Sequence, residues 1–125
     1  MMNSQQIATE FFDRYRSALL ARDAKAVAEL YAVPSLILFP QNAIAVTDGH
    51  QTEEFFASSW EQYEGIEAID SKIVVMGDGP GTIWADVTWS SAGKQLERFC
   101  YQLVDSASNY KVAVLTPLEI PSDCA

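Results

Sequence analysis

The stretch TIWADVTWSSAGKQLERFCYQLV, residues 82–104, holds two β-prone runs on either side of Ala92-Gly93. Trp, Val, Ile, Thr, Phe and Tyr favour a pleated, half-buried surface, and an Ala-Gly pair between such runs marks a hairpin tip. With two residues in the tip, Ser91 faces Lys94, Thr88 faces Glu97, Asp86 faces Phe99 and Trp84 faces Tyr101. Thr88, Glu97, Asp86, Phe99, Trp84 and Tyr101 then share one face. The other face carries Ile83, Ala85, Val87, Trp89, Leu96, Arg98, Cys100 and Gln102. A three-residue tip would exchange the two, because side chains alternate with a period of two.

Outward from this hairpin the strand pattern continues. The turn signal Gly77-Asp78-Gly79-Pro80-Gly81 separates it from an earlier strand over Ile66 to Met76, and the polar run Asp105 to Asn109 leads into a last strand over Tyr110 to Leu118. The result is an antiparallel meander. Before it the period lengthens. Ile7, Ala8, Phe11, Phe12, Tyr15, Ala18 and Leu19 fall on one arc of a helix that Ser4 can cap. Asp23 caps a short second helix carrying Val27, Leu30 and Tyr31, which Pro34 forces to stop. Ser35–Phe39 and Ala43–Thr47 read as a hairpin around Pro40-Gln41-Asn42. A third helix starts at Thr52, places Phe55, Phe56, Ser59, Trp60 and Tyr63 inward, and ends at Gly65. Three helices packed on a curved antiparallel sheet make an α+β class.

The chain has 125 residues, enough for one core and too few for two, so residues 1–125 read as a single domain. A net charge of −9 with eight scattered Lys and Arg gives no footprint for a phosphate backbone, so nucleic acid is not an expected partner. Leu36-Ile37-Leu38-Phe39 is the longest aliphatic and aromatic run, far below the roughly 20 residues of a membrane span. The first residues carry no secretory signal pattern, and a cytoplasmic location is the expectation. Cys100 and Cys124 have no metal-ligand spacing; a reduced core thiol and a tail thiol are expected, with no metal and no cofactor.

Phe11-Phe12-Asp13-Arg14-Tyr15 on the first helix, Arg22-Asp23-Ala24 opening the second, Leu30-Tyr31-Ala32 closing it, and Asp48-Gly49 ahead of the third together resemble the nuclear transport factor 2-like superfamily, in particular its SnoaL-like members. The likeness runs over about residues 5–117. It implies a cone-shaped α+β barrel with an apolar pocket between helices and sheet, and a homodimer built on the sheet. The fold hosts many activities, so it does not name one.

A ketosteroid-isomerase-like site is one implication of the resemblance that the residues refuse. Phe39 stands where that site has its carboxylate base, Val33-Pro34 where acidic residues follow the Tyr-Ala pair, and Cys100 or Tyr101 where the strand aspartate would be. No such isomerase activity is expected. Because Tyr101 and Leu103 match the superfamily's inward pattern, the Trp84, Asp86, Phe99 and Tyr101 face is assigned to the pocket, with Phe39 and Trp60 completing a ligand site. Asp86 among three aromatic side chains is expected to titrate above the ordinary value and, with Tyr15, to supply any acid–base chemistry. Tyr15 on the inner arc of its helix also reads simply as core. His50 lacks a Ser or Cys partner and reads as solvated.

Three functions stay open: a domain binding a small apolar or aromatic molecule, an isomerase-, dehydratase- or cyclase-like enzyme using Asp86 and Tyr15, and an interaction module working through the outer sheet face. The face carrying Val87, Trp89 and Leu96 is expected to form the homodimer interface.

Overall fold

A computed structural model of the chain describes residues 3–106 and 109–120, apart from the side chains of residues 62 and 63. The inward role expected of Tyr63 and the tail thiol Cys124 therefore lie outside the described residues. Helix α1 (Ser4–Leu20) is capped by Asn3, one residue ahead of the expected Ser4: its side chain accepts from Gln6 N, and the Gln6 side chain accepts from Asn3 N in return. Asp23 caps α2 (Ala24–Glu29) as read from the sequence. That helix stops earlier than expected, and Tyr31 already begins strand β1 (Tyr31–Phe39).

Pro40 and Gln41 turn β1 into β2 (Asn42–Val46), and Gln41 takes a φ of 66°. Helix α3 (Gly49–Ala57) starts three residues ahead of Thr52, because Asp48 accepts from Gln51 N and Gln51 closes the capping box. It ends at Ala57, and a single 3₁₀ turn (Trp60–Tyr63) leads on toward Gly65. Strands β3 (Asp70–Gly79), β4 (Thr82–Ser91), β5 (Lys94–Ser106) and β6 (Asn109–Pro117) form the expected meander. Pro80-Gly81 joins β3 to β4: the proline ring presets its own φ and Gly81 supplies the φ of 68° that the second turn position requires.

The strands make one curved sheet in the order β2-β1-β6-β5-β4-β3. Two expectations change here. The sheet is mixed, because β1 lies parallel to β6, with Tyr31 opposite Val112 and Ile37 opposite Leu115. That ladder is irregular between Tyr31 and Leu36, the stretch holding Pro34, which has no N–H to give. Nor is it a closed barrel: β2 and β3 are separate edges, so the sheet folds over the helices without meeting itself.

All three helices lie on the concave face, α1 across β3 and β4, and α3 beside α2, β1 and β2. The core between them is aromatic. Phe12 is fully buried against Phe11, Tyr15, Trp89 and Tyr101, with ring centroids 4.8–6.1 Å apart. Burial at this level contributes about 1.5–3 kcal/mol per large side chain.

Candidate functional site

The tip of the β4–β5 hairpin is the two-residue Ala92-Gly93 turn, with φ of 53° and 80°, and Ser91 pairs with Lys94 as read from the sequence. Beyond it the register departs. Ser90 pairs with Gln95, but Trp89 pairs with Glu97, so Leu96 is an extra residue in β5. A β-bulge sets two residues against one and reverses which cross-strand partners share a face. From there Val87 opposes Phe99, Ala85 opposes Tyr101 and Asp86 opposes Cys100.

The inner face therefore combines half of each predicted set. Ile83, Ala85, Val87 and Trp89 from β4 join Phe99, Tyr101 and Leu103 from β5 against the helices. Trp84 and Asp86 point away from them, on the uncovered outer face. Trp84 is 38% exposed. The assignment of these two residues to the pocket is corrected, and so is that of Val87 and Trp89 to an outer interface.

The electrostatic expectation for Asp86 reverses as well. Arg98 grips it through Nε to Oδ1 at 2.9 Å and Nη2 to Oδ2 at 2.6 Å, a two-pronged contact. This hydrogen bonding holds the Asp86 carboxyl below its ordinary value of 3.8, outweighing the opposing effect of burial. A neutral, proton-donating Asp86 is not what the fold provides.

On the concave side a cavity of about 800 Å³ opens between the helices and the sheet. Tyr15 comes to it from α1, Phe55 and Phe56 from α3, Phe39 from β1, Trp89 from β4, and Phe99 and Tyr101 from β5, with Leu115 and Leu118 closing the β6 side. Four of the expected site residues, Tyr15, Phe39, Phe99 and Tyr101, are thus brought together. Trp60 packs on Phe56 with centroids 6.4 Å apart and does not line the cavity.

Polar atoms in the wall are mostly committed. The Tyr15 and Tyr31 hydroxyls share a buried hydrogen bond of 2.6 Å, and Trp89 Nε1 donates to the Tyr101 hydroxyl at 3.0 Å. Tyr15 also stacks on Trp89, with centroids 5.7 Å apart and planes 29° from parallel. It is a core residue that also lines the cavity.

The residue missed from the sequence is Glu97. It borders the cavity opposite Trp89, and among the described lining residues it is the only acid. Its carboxyl makes no hydrogen bond or ion pair with any described residue, and burial raises its pKa above the ordinary 4.5. The unbulged reading already sets Glu97, opposite Thr88, on the face of Phe99 and Tyr101; what the sequence does not mark is that none of the described residues pairs with it.

His50 is exposed, and its Nε2 lies 2.9 Å from Glu54 on its own helix. Cys100 is buried and free, and burial pushes its thiol up. Among the described residues no group of His, Cys, Asp or Glu is arranged to hold a metal, and no helix is long and apolar enough to cross a membrane.

Helices on the concave side of a curved sheet, with a cavity between them, fit the superfamily suggested by the first two helices. The family model for NTF2-like protein (DUF6841) matches residues 4–120. The chain belongs to this NTF2-like family. Solved structures agree at the level of the fold. An NTF2-like protein of unknown function from Shewanella baltica OS155 superposes with a TM-score of 0.70 at 8% identity, over 98% of this chain and 100% of that one. The yeast UBP3-associated protein BRE5 gives 0.68 at 16% identity, over 98% and 100%. A cystatin-like domain of unknown function from Nostoc punctiforme PCC 73102 gives 0.69 at 7% identity, over 98% and 82%. No curated protein matches the chain.

Proposed function

We propose that this NTF2-like domain binds a small apolar or aromatic molecule in the concave cavity. The observation that carries the reading is the cavity itself: about 800 Å³, walled by rings from two helices and three strands, and bordered by a single acid among the described residues. Sites for small molecules are concave and mostly apolar, with few polar groups to orient the ligand. Titration with 1-naphthalenemethanol, followed by NMR shifts of the Trp89 indole and the Phe99 and Tyr101 rings, tests it. Saturable shifts confined to these residues are expected; their absence up to the solubility limit overturns the reading.

An acid–base enzyme is the second reading, and one observation favours it in altered form. Asp86 and Tyr15 lie on opposite sides of the sheet, so they cannot act on one substrate. Glu97 shares the cavity with Tyr15, and its raised pKa suits a proton donor or acceptor. Turnover lost in Glu97→Gln and kept in Asp86→Asn is the pattern this reading requires.

The outer sheet face supports a homodimer. No helix covers it, and Leu36, Val74, Met76 and Trp84 are exposed there around the Asp86–Arg98 pair. A two-fold contact would set this pair against its own copy in reverse order, which is charge-complementary, while burying the apolar surround.

A further inference from the structure

We infer that the cavity selects a lipophilic organic cation, an amine or quaternary ammonium on an apolar body, with Glu97 as its counter-ion and the neighbouring aromatic rings as its cage. The inference rests on the reading of the cavity as a ligand site and names the ligand's chemistry.

The two carboxylates flanking this part of β5 make the argument by contrast. Asp86, on the outer face, has its charge matched by Arg98, which holds it ionised. Glu97, on the inner face, has no such partner among the described residues, and burial works against its charge. A half-buried charge without a partner carries a desolvation cost, and a bound cation would offset it.

Arg98 borders the cavity too but cannot serve as the partner. Its Nε and Nη2 are committed to Asp86, and Nη1 donates to the Glu119 carbonyl at 2.7 Å. The other lining residues on α1, α3, β1, β2, β4 and β6 bring no charged group. The site thus presents one negative charge beside aromatic side chains.

Those rings favour the same ligand. Trp89 lies directly across the strands from Glu97, and Phe99 and Tyr101 follow on the same face of β5, with centroids 6.0 Å apart. The negative faces of aromatic rings attract cations, most strongly where water is excluded. The chain's net charge of −9 adds long-range attraction for a cation and repulsion for an anion.

The experiment is calorimetric titration of the intact protein at pH 8 with 1-naphthylmethylamine, 1-naphthalenemethanol, 1-acetylnaphthalene and 1-naphthoic acid. These share one body and differ in head group. The amine should bind about tenfold to a hundredfold more tightly than the alcohol, as for a charge-assisted contact, and the acid most weakly. Glu97→Gln should erase that preference, bringing the amine's affinity down to about that of the alcohol, and an unchanged near-ultraviolet circular dichroism spectrum shows that the variant is folded. A preference for the ketone or acid, equal binding of amine and alcohol, or an amine preference kept in Glu97→Gln overturns the inference and leaves the cavity a ligand site. If none of the four binds, the ligand-site reading fails with it.

Discussion

At the scale of single residues, Asp86 and Glu97 of the β4–β5 hairpin should respond to pH in opposite senses. Asp86 has a lowered folded-state pKa, caused first by its hydrogen bonds from Arg98. It therefore adds stability above its ordinary value of 3.8, and that contribution is lost as pH falls through the folded value. Glu97 has a raised pKa, caused by burial. Its penalty is absent below 4.5 and grows as pH rises through the folded value. Glu97→Gln should thus raise the urea midpoint at pH 7 and not at pH 4, whereas Asp86→Asn should lower it at pH 7 and converge with the wild type in strong acid. Equal effects at both pH values would contradict these environments. Thr52 offers a separate test. Its hydroxyl and that of Ser35 are buried without a hydrogen-bond partner among the described residues. Thr52→Val keeps the shape and removes the stranded group, so stability should rise by about 1 kcal/mol in urea denaturation.

At the scale of elements, the β4–β5 ladder decides which residues meet the cavity. Its tip was legible, because Ala92-Gly93 is the only turn signal between two β-prone runs. The extra residue at Leu96 was not, since Gln95-Leu96-Glu97 alternates like any strand. The register can be checked covalently. Asp86 and Cys100 are cross-strand partners, and such Cα atoms lie about 4.5–5.5 Å apart, within the span of a disulfide. In a Cys124→Ser background, Asp86→Cys should form a disulfide with Cys100 on mild oxidation, seen as loss of two alkylatable thiols by mass spectrometry. In the unbulged register Cys100 is on the opposite face from residue 86, and both thiols would stay reactive. Helix α1 gives a simpler case: Asn3→Ala removes the side-chain cap on Gln6 N while keeping the backbone N–H that donates to Gln6, and should cost about 1 kcal/mol.

At the scale of the whole molecule, the aromatic core ties α1 to the sheet, and Phe12 is its centre. Phe12→Ala should cost about 3–5 kcal/mol, a large part of the ~5–15 kcal/mol that holds a domain of this size. The loss would show as a lower urea midpoint with an unchanged slope. The outer face bears on assembly. A dimer mass by light scattering is expected for the wild type, shifting to monomer in Trp84→Lys with the fold retained, because Trp84 is exposed on that face and absent from the core. A monomer for both proteins at high micromolar concentration would contradict the dimer.

The sequence by itself determined the helices, the strands and the layer they form, because these follow from local periodicity and turn chemistry: Asp23 caps where it must, and Phe11, Phe12 and Tyr15 recur at helical spacing. It also pointed to the superfamily, through the residues of the first two helices. What only the tertiary structure decided are contacts without a local signal. The parallel pairing of β1 with β6 joins residues about 80 apart and involves no turn that the sequence could mark. The bulge at Leu96 is a one-residue offset that hydrophobic alternation does not register. Because side chains change face with every residue, that offset sent Asp86 to Arg98 on the outside, while Glu97, Phe99 and Tyr101 kept the inner face with Trp89, Val87 and Ala85 as their new partners.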